Sequence, residues 1–212
     1  LVKERKRRLR VPPYTEPFHL CQTPNAVWSA DYKGQFYTQN GRVCYPLTIS
    51  DNNTRYLLEC QGLPGPRYLE TRAVFETTFK EYGLPHAIRI DNGTPFASKV
   101  IGGLSRLSIW WIQLGIVPER IDKGCPQQNG RHERMHRTLK EETLYPVSRN
   151  MKEQQKRFDW FRFDYNNYRP HESLNQEPPA KHYQKSNRIY IEKPSLPDYD
   201  HSFIVRRVCS GG

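Results

Sequence analysis

Apolar residues gather into short runs from residue 27 onward, and the spacing within those runs shifts from that of strands to that of helices. Residues 28–36, Trp-Ser-Ala-Asp-Tyr-Lys-Gly-Gln-Phe, carry strand formers; 43–50 is a second apolar run after a Gln39-Asn40-Gly41-Arg42 turn, and 55–60 a third after Asp51-Asn52-Asn53. Such runs bounded by Asn, Asp and Gly predict antiparallel strands joined by tight turns, here a three-strand meander. Between 68 and 82 the residues Leu69, Ala73, Phe75, Phe79 and Tyr82 recur near the helical period, and Gly83 supplies a stop. A short strand at 87–90 runs into Asp91-Asn92-Gly93. A helix follows at 104–114 with Trp110 and Trp111, then a fifth strand at 115–118 and a long helix after Gly130.

Residues 151–168 are rich in aromatics and predict a helix that lays an aromatic stripe on the core, with a base-stacking platform as the alternative. A short helix near 180–184 and two strands, 188–191 and 203–208, close the chain. A meander followed by strand–helix alternation predicts an α/β fold: a mixed five-stranded sheet, three strands antiparallel and two parallel, flanked by helices.

Composition adds a partner. With 212 residues there is room for one main domain, and the formal charge of +11 and pI near 9.5 point to a polyanion such as nucleic acid. The excess is concentrated at the start, where Lys3, Arg5, Lys6, Arg7, Arg8 and Arg10 face only Glu4. The expected organisation is a basic, proline-containing arm at 1–25, a core at 26–185 and a C-terminal extension at 186–212. Cys21, Cys44, Cys60, Cys125 and Cys209 form no CxxC pair, which argues against a zinc ribbon or disulfide framework and for a reducing compartment. No apolar run reaches the roughly 20 residues of a membrane span, and no signal-peptide pattern occurs.

Three carboxylates stand out by position. Asp31 lies inside the first strand, where Asp is disfavoured unless it is used. Asp91 ends the fourth strand, a favoured place for ligand groups in α/β sheets, although Asp91-Asn92-Gly93 also reads as a plain turn. Glu133 opens the long helix and shares a face with Arg137 and Lys140, while Met135 and Leu139 point towards a core; an exposed face with Glu133–Arg137 pairing is the plainer alternative. If the first and fourth strands are neighbours, the three form an acidic cluster. Hard oxygen donors of this kind suit Mg²⁺ or Mn²⁺, and two such ions can assist phosphoryl transfer on nucleic acid. Asp51 is better explained as a hairpin residue. His132 and His136 flank Glu133, and a metal role for them is conceivable.

Trp28-Ser29-Ala30-Asp31 with Gly34, Ile90-Asp91-Asn92-Gly93-Thr94-Pro95-Phe96, and 126–130 through Glu133-Arg134 resemble the three catalytic blocks of retroviral-integrase-type DDE transposases. Tyr165-Asn166, Arg169-Pro170-His171-Glu172-Ser173-Leu174 and Pro178-Pro179-Ala180 are similar to bacterial insertion-sequence members. The resemblance implies a ribonuclease H-like fold, Asp31, Asp91 and Glu133 as catalytic metal ligands, and two Mg²⁺ ions, with Mn²⁺ able to substitute. It implies nicking and strand transfer at transposon ends, DNA as the partner for both ends and target, a homo-oligomer, no small-molecule substrate, and a cytoplasmic, nucleoid-associated protein in a bacterium. Lys140 matches a lysine that touches the DNA end; Arg134 and Arg137 are candidate phosphate contacts by charge and position; Asn92, Gly93, Asn129 and Gly130 would shape the loops of the site. The long interval from Asp91 to Glu133 implies an insertion around 101–108. A non-catalytic DNA-binding or assembly module and a ribonuclease on the same fold are the alternatives.

Overall fold

The expected first strand breaks in two. In the computed structural model, which describes residues 18–97, 104–121 and 130–192, β1 (Val27–Tyr32) ends ahead of Gly34, whose φ of +90° turns the chain as glycine readily allows. The two-residue β2 (Phe36–Tyr37) then pairs with the start of β3 (Val43–Asp51) through Phe36↔Cys44, while β1 runs antiparallel along the rest of β3, from Tyr32↔Leu47 to Trp28↔Asp51. β4 (Leu57–Leu63) is antiparallel to β3 as well. β5 (Ala87–Ile90) joins β1 in parallel and β6 (Val117–Arg120) joins β5 in parallel. The mixed five-stranded sheet is therefore present, with β2 as a short sixth strand.

Helices cover both faces because residues on alternate positions of the central strands are buried on both. Trp28, Ala30, Leu47, Ile49, Ile88 and Ile90 form one core with α1 (Tyr68–Tyr82) and α2 (Arg106–Gln113), which add Phe75, Phe79, Leu107 and Trp111. Cys44, Leu57 and Cys60 form the other with Met135 and Leu139 of α3 (Gly130–Thr143) and Phe158, Phe161 and Tyr165 of α4 (Met151–Asn167). Two starts are capped in the usual way: Ser105 Oγ accepts from Ser108 N at 3.1 Å and Asn150 Oδ1 from Glu153 N at 3.0 Å. No described helix is long and apolar enough to cross a membrane.

The aromatic helix meets its expectation in part. Phe158, Phe161 and Tyr165 are core residues, but Trp160 and Phe163 of α4 and Tyr168 just after it are exposed. The short helix expected near 180–184 is one 3-10 turn at Pro179–Lys181. The strand expected at 188–191 does not form; Ser186 N donates to Tyr82 O and Leu84 N to Arg188 O, both at 2.8 Å, so this segment is fastened to the end of α1 instead of to a sheet edge. Gly83 is needed at that crossing, since a Cβ there would sit 2.6 Å from Ser186 O. Residues 203–208 lie outside the described residues, as do 101–103 of the expected insertion.

The Tyr165-Asn166 to Leu174 stretch is architectural. Leu57 N donates to Asn166 Oδ1 at 2.8 Å and Asn166 Nδ2 donates to Leu57 O at 2.9 Å, so one side chain of α4 satisfies both backbone groups of a β4 residue. Arg169 bridges Glu142 on α3 and Asp164 on α4, and His171 packs edge-on against Tyr165 with centroids 4.9 Å apart. Asn166→Ala leaves a buried donor and acceptor unpaired, each costing about 1–3 kcal/mol. Urea unfolding should show a loss of about 2–4 kcal/mol; a loss below 0.5 kcal/mol would mean that this suture is dispensable.

Candidate active site

Asp31 and Asp91 are brought together by strand register. β1 and β5 are parallel neighbours with Ala30 opposite Ile90, so the next residue of each chain segment, Asp31 and Asp91, emerges at the same edge. This is the carboxyl end of parallel strands, where open α/β sheets place their ligands. Glu133 is exposed in the first turn of α3. Its carboxylate and that of Asp91 both raise the pKa of Asp31, which burial is the first to push up, to about 7; Asp91 contributes more than Glu133, and the backbone N–H of Tyr32 and the Lys33 ammonium pull the other way. The three acidic groups thus share one electrostatic site in a basic protein.

The loop after Asp91 is a turn that also holds the Asp91 carboxylate. Gly93 N donates to Asp91 Oδ1 at 3.1 Å, and a Cβ at position 93 would lie 2.8 Å from Asp91 Oδ2. A larger residue at 93 would make that carboxylate rotate away from the backbone. Asn92 Nδ2 donates to Ile121 O at 2.8 Å and ties the loop to the end of β6. Asp51 is not part of the site: its carboxylate accepts from Asn25 N, Thr54 N and Thr54 Oγ1 at 2.9–3.0 Å in the β3–β4 turn, the hairpin role expected for it.

Beneath α3 the sheet turns polar. Thr48 sits opposite Asp31 and Ser50 opposite Ser29, on the face away from Leu47 and Ile49. Thr48 Oγ1 lies 2.7 Å from His132 Nε2 and 2.6 Å from His136 Nε2, and Ser50 Oγ is 3.1 Å from His132 Nδ1. Burial lowers the pKa of both rings, to about 3 for His132 and well below the ordinary value for His136, so both are neutral at physiological pH. His136 Nδ1 faces Asp31 Oδ2 at 3.7 Å. His132, Met135, His136 and Leu139 occupy i, i+3, i+4 and i+7, and all four are buried. The spacing is visible in the sequence, but hydrophobicity singles out only Met135 and Leu139 as inward-facing, and Thr48 and Ser50 carry no signal without knowledge of their strand partner.

The remaining candidates divide cleanly. Arg134, Arg137 and Lys140 are exposed on α3, Gly130 opens that helix, and Asn92 is exposed beside Asp91. Asn129 lies outside the described residues.

The mixed sheet and its flanking helices have the ribonuclease H-like fold seen in integrase catalytic cores. Residues 114–179 match the family model described as integrase core domain. An uncharacterized 31.7 kDa protein of insertion element IS407 from Burkholderia multivorans is 28% identical over 207 residues, covering 92% of this chain and 68% of that protein. An uncharacterized 39.2 kDa protein of insertion element IS476 from Xanthomonas euvesicatoria is 32% identical over 190 residues; there the chain spans about half the relative, with 85% of this chain and 51% of that protein covered. Among solved structures, the catalytic core domain of HTLV-2 integrase in complex with magnesium superposes with a TM-score of 0.59 at 13% identity, over 76% of this chain and 98% of that one, which shows the shared fold. The match to the integrase core family model and the likeness to proteins of two bacterial insertion elements point to the same family.

The raised pKa of Asp31 is a cost to the fold. Its pKa rises from 3.8 to about 7, so between those values the native protein keeps a proton that the unfolded chain releases. Stability therefore falls as pH rises through that window. Asp31→Asn should be more stable than wild type by about 1–3 kcal/mol at pH 8 in chelator-treated buffer, with the gap closing near pH 4. Equal stability of the two at pH 8 would contradict the burial and neighbouring charge that raise Asp31.

Proposed function

We propose that this chain is the catalytic core of a transposase that cleaves and joins DNA by metal-dependent phosphoryl transfer, with Asp31, Asp91 and Glu133 as the metal ligands. The observation that carries the reading is the register that puts Asp31 and Asp91 at the carboxyl edge of β1 and β5, with the Asp31 pKa raised by burial first and then by the charges of Asp91 and Glu133. Their donor set is all hard oxygen, which fits Mg²⁺, with Mn²⁺ as a substitute. The likeness to a magnesium-bound integrase core points the same way. When bound, a pair of such ions supplies charge neutralisation at the phosphate and a more acidic attacking water or hydroxyl.

The protein's own groups do the rest. Asp31 and Asp91 are held by the sheet and Gly93, so two ligands are set before substrate arrives. Glu133 is exposed on α3 and completes the set from above. Arg134, Arg137 and Lys140 display positive charge along the same helix, suited to the phosphates of a DNA end. Asn92 shapes the rim, a role that the resemblance also gives to Asn129 and Gly130. The 1–25 arm adds a sequence-independent attraction for DNA, the 26–185 core carries the chemistry, and 186–212 is an extension beyond it. Synapsis of two ends calls for a homo-oligomer, acting on DNA in the bacterial cytoplasm.

Asp91→Asn and Glu133→Gln should fold normally by circular dichroism and lower Mg²⁺-dependent nicking of a transposon-end duplex by roughly a hundredfold or more. Wild-type rates in either variant would remove the assignment. Lys140→Ala should weaken binding to the same duplex and reduce the slope of log K against log salt by about 0.9, one phosphate contact; an unchanged slope would take Lys140 off the DNA.

A further inference from the structure

We propose that Asp31, His132 and His136 form a binding site for a borderline divalent transition-metal ion of the Zn²⁺ or Co²⁺ kind, and that filling it withdraws Asp31 from the proposed magnesium site. The second clause rests on the reading of Asp31 as a catalytic ligand; the first does not.

One donor atom from each residue lies within 4.8 Å of the other two. His136 Nδ1 and Asp31 Oδ2 are 3.7 Å apart, too far for an N–H···O hydrogen bond. A cation with bonds of about 2.0–2.2 Å to nitrogen and oxygen spans that gap at an open angle. The rest of the His136 ring is arranged as in a metal-bound histidine, whose second nitrogen donates to a fixed acceptor. Its Nε2 meets Thr48 Oγ1 at 2.6 Å, and a hydroxyl with two lone pairs can accept that proton. His132 is held at both ring nitrogens, Nε2 by Thr48 Oγ1 at 2.7 Å and Nδ1 by Ser50 Oγ at 3.1 Å, so it ligates once the longer of these bonds, to Ser50, opens; its ring centroid is 4.6 Å from that of His136. Asp31 keeps 21% of its side-chain surface accessible, so the cluster opens to solvent at the carboxylate.

Packing alone does not ask for these rings. Met135 and Leu139 fill the same face of α3 with apolar groups, and apolar side chains at 132 and 136 would bury there without the need for Thr48 and Ser50 to answer them. Two neutral imidazoles and one carboxylate are a donor set that selects Zn²⁺ or Co²⁺ over Mg²⁺, which prefers oxygen and keeps its waters. Three protein ligands leave a fourth position for water.

The test is titration of the full chain with Co²⁺ followed by visible absorption, and with Zn²⁺ by calorimetry, in the absence of DNA. Wild type should take up one ion with the intense visible band of low-coordinate cobalt. His136→Gln and His132→Gln should each weaken binding at least tenfold, whereas Glu133→Gln, which removes a charge but no ligand, should weaken it by less than about threefold. No uptake by wild type, wild-type affinity in both histidine variants, or an equal loss in Glu133→Gln would each overturn the proposal. Should the histidine variants fail to fold, ring ¹⁵N shifts of wild type decide: Zn²⁺ must move the signals of His132 and His136, and movement confined to other histidines overturns it. A magnesium nicking assay on wild type separates the two readings. Absent nicking with intact Co²⁺ binding sinks the transposase reading alone, and nicking that Zn²⁺ does not inhibit sinks the claimed withdrawal of Asp31.

Discussion

The register in which β1 pairs with β5 is the constraint on which the site depends. Parallel pairing with Ala30 opposite Ile90 brings two acidic residues, separated by most of the first half of the chain, to one edge. Nothing local would do this, because like charges repel and Asp31 is pushed to a pKa near neutrality by burial and by Asp91. The hydrophobic cores on both faces of the sheet supply the free energy that holds the pair in place. A one-residue slip would turn Asp31 into the aromatic core and Ala30 towards the site. Functional sites commonly sit at such points of tension, where part of the stability of the fold is spent on a geometry that the isolated groups would avoid.

α3 is the second determinant, and its seating differs from that of the other helices. Its lower half buries Met135 and Leu139 in an apolar core, but nearer to Glu133 it rests on histidines that share one threonine hydroxyl. Hydrogen bonds have direction, so this seam fixes the rotation of the helix, and hence the side on which Glu133 stands, more tightly than apolar contact would. Arg169 fixes the far end by reaching from the close of α4 to Glu142 on α3 and Asp164 on α4. The helix that carries the third carboxylate is therefore anchored at both ends.

Much of this was legible in the sequence because it was written in local patterns. The strand at 87–90, the helix at 68–82 and the turn function of Asp51 follow from periodicity and from Asn, Asp and Gly placement, and the structure has them. Gly34 was visible as a glycine but not as the break between β1 and β2, since a single residue at positive φ is set by where the chain must go next. The segment at 188–191 has strand-forming residues and no free sheet edge within reach, so tertiary context overrides propensity. Thr48, Ser50 and the inward turn of His132 and His136 were hidden for the same reason. A polar residue in a strand or on a helix reads as solvent-facing until its partner across the interface is known.

The most direct test of the central claim is a crystal of this chain with a DNA end and Mn²⁺, measured at the manganese absorption edge. The account predicts anomalous difference peaks bounded by the carboxylates of Asp31, Asp91 and Glu133, with the peaks lost in Asp91→Asn. An ordered DNA end at the carboxyl edge of β1 and β5 with no anomalous density among those three side chains would contradict it.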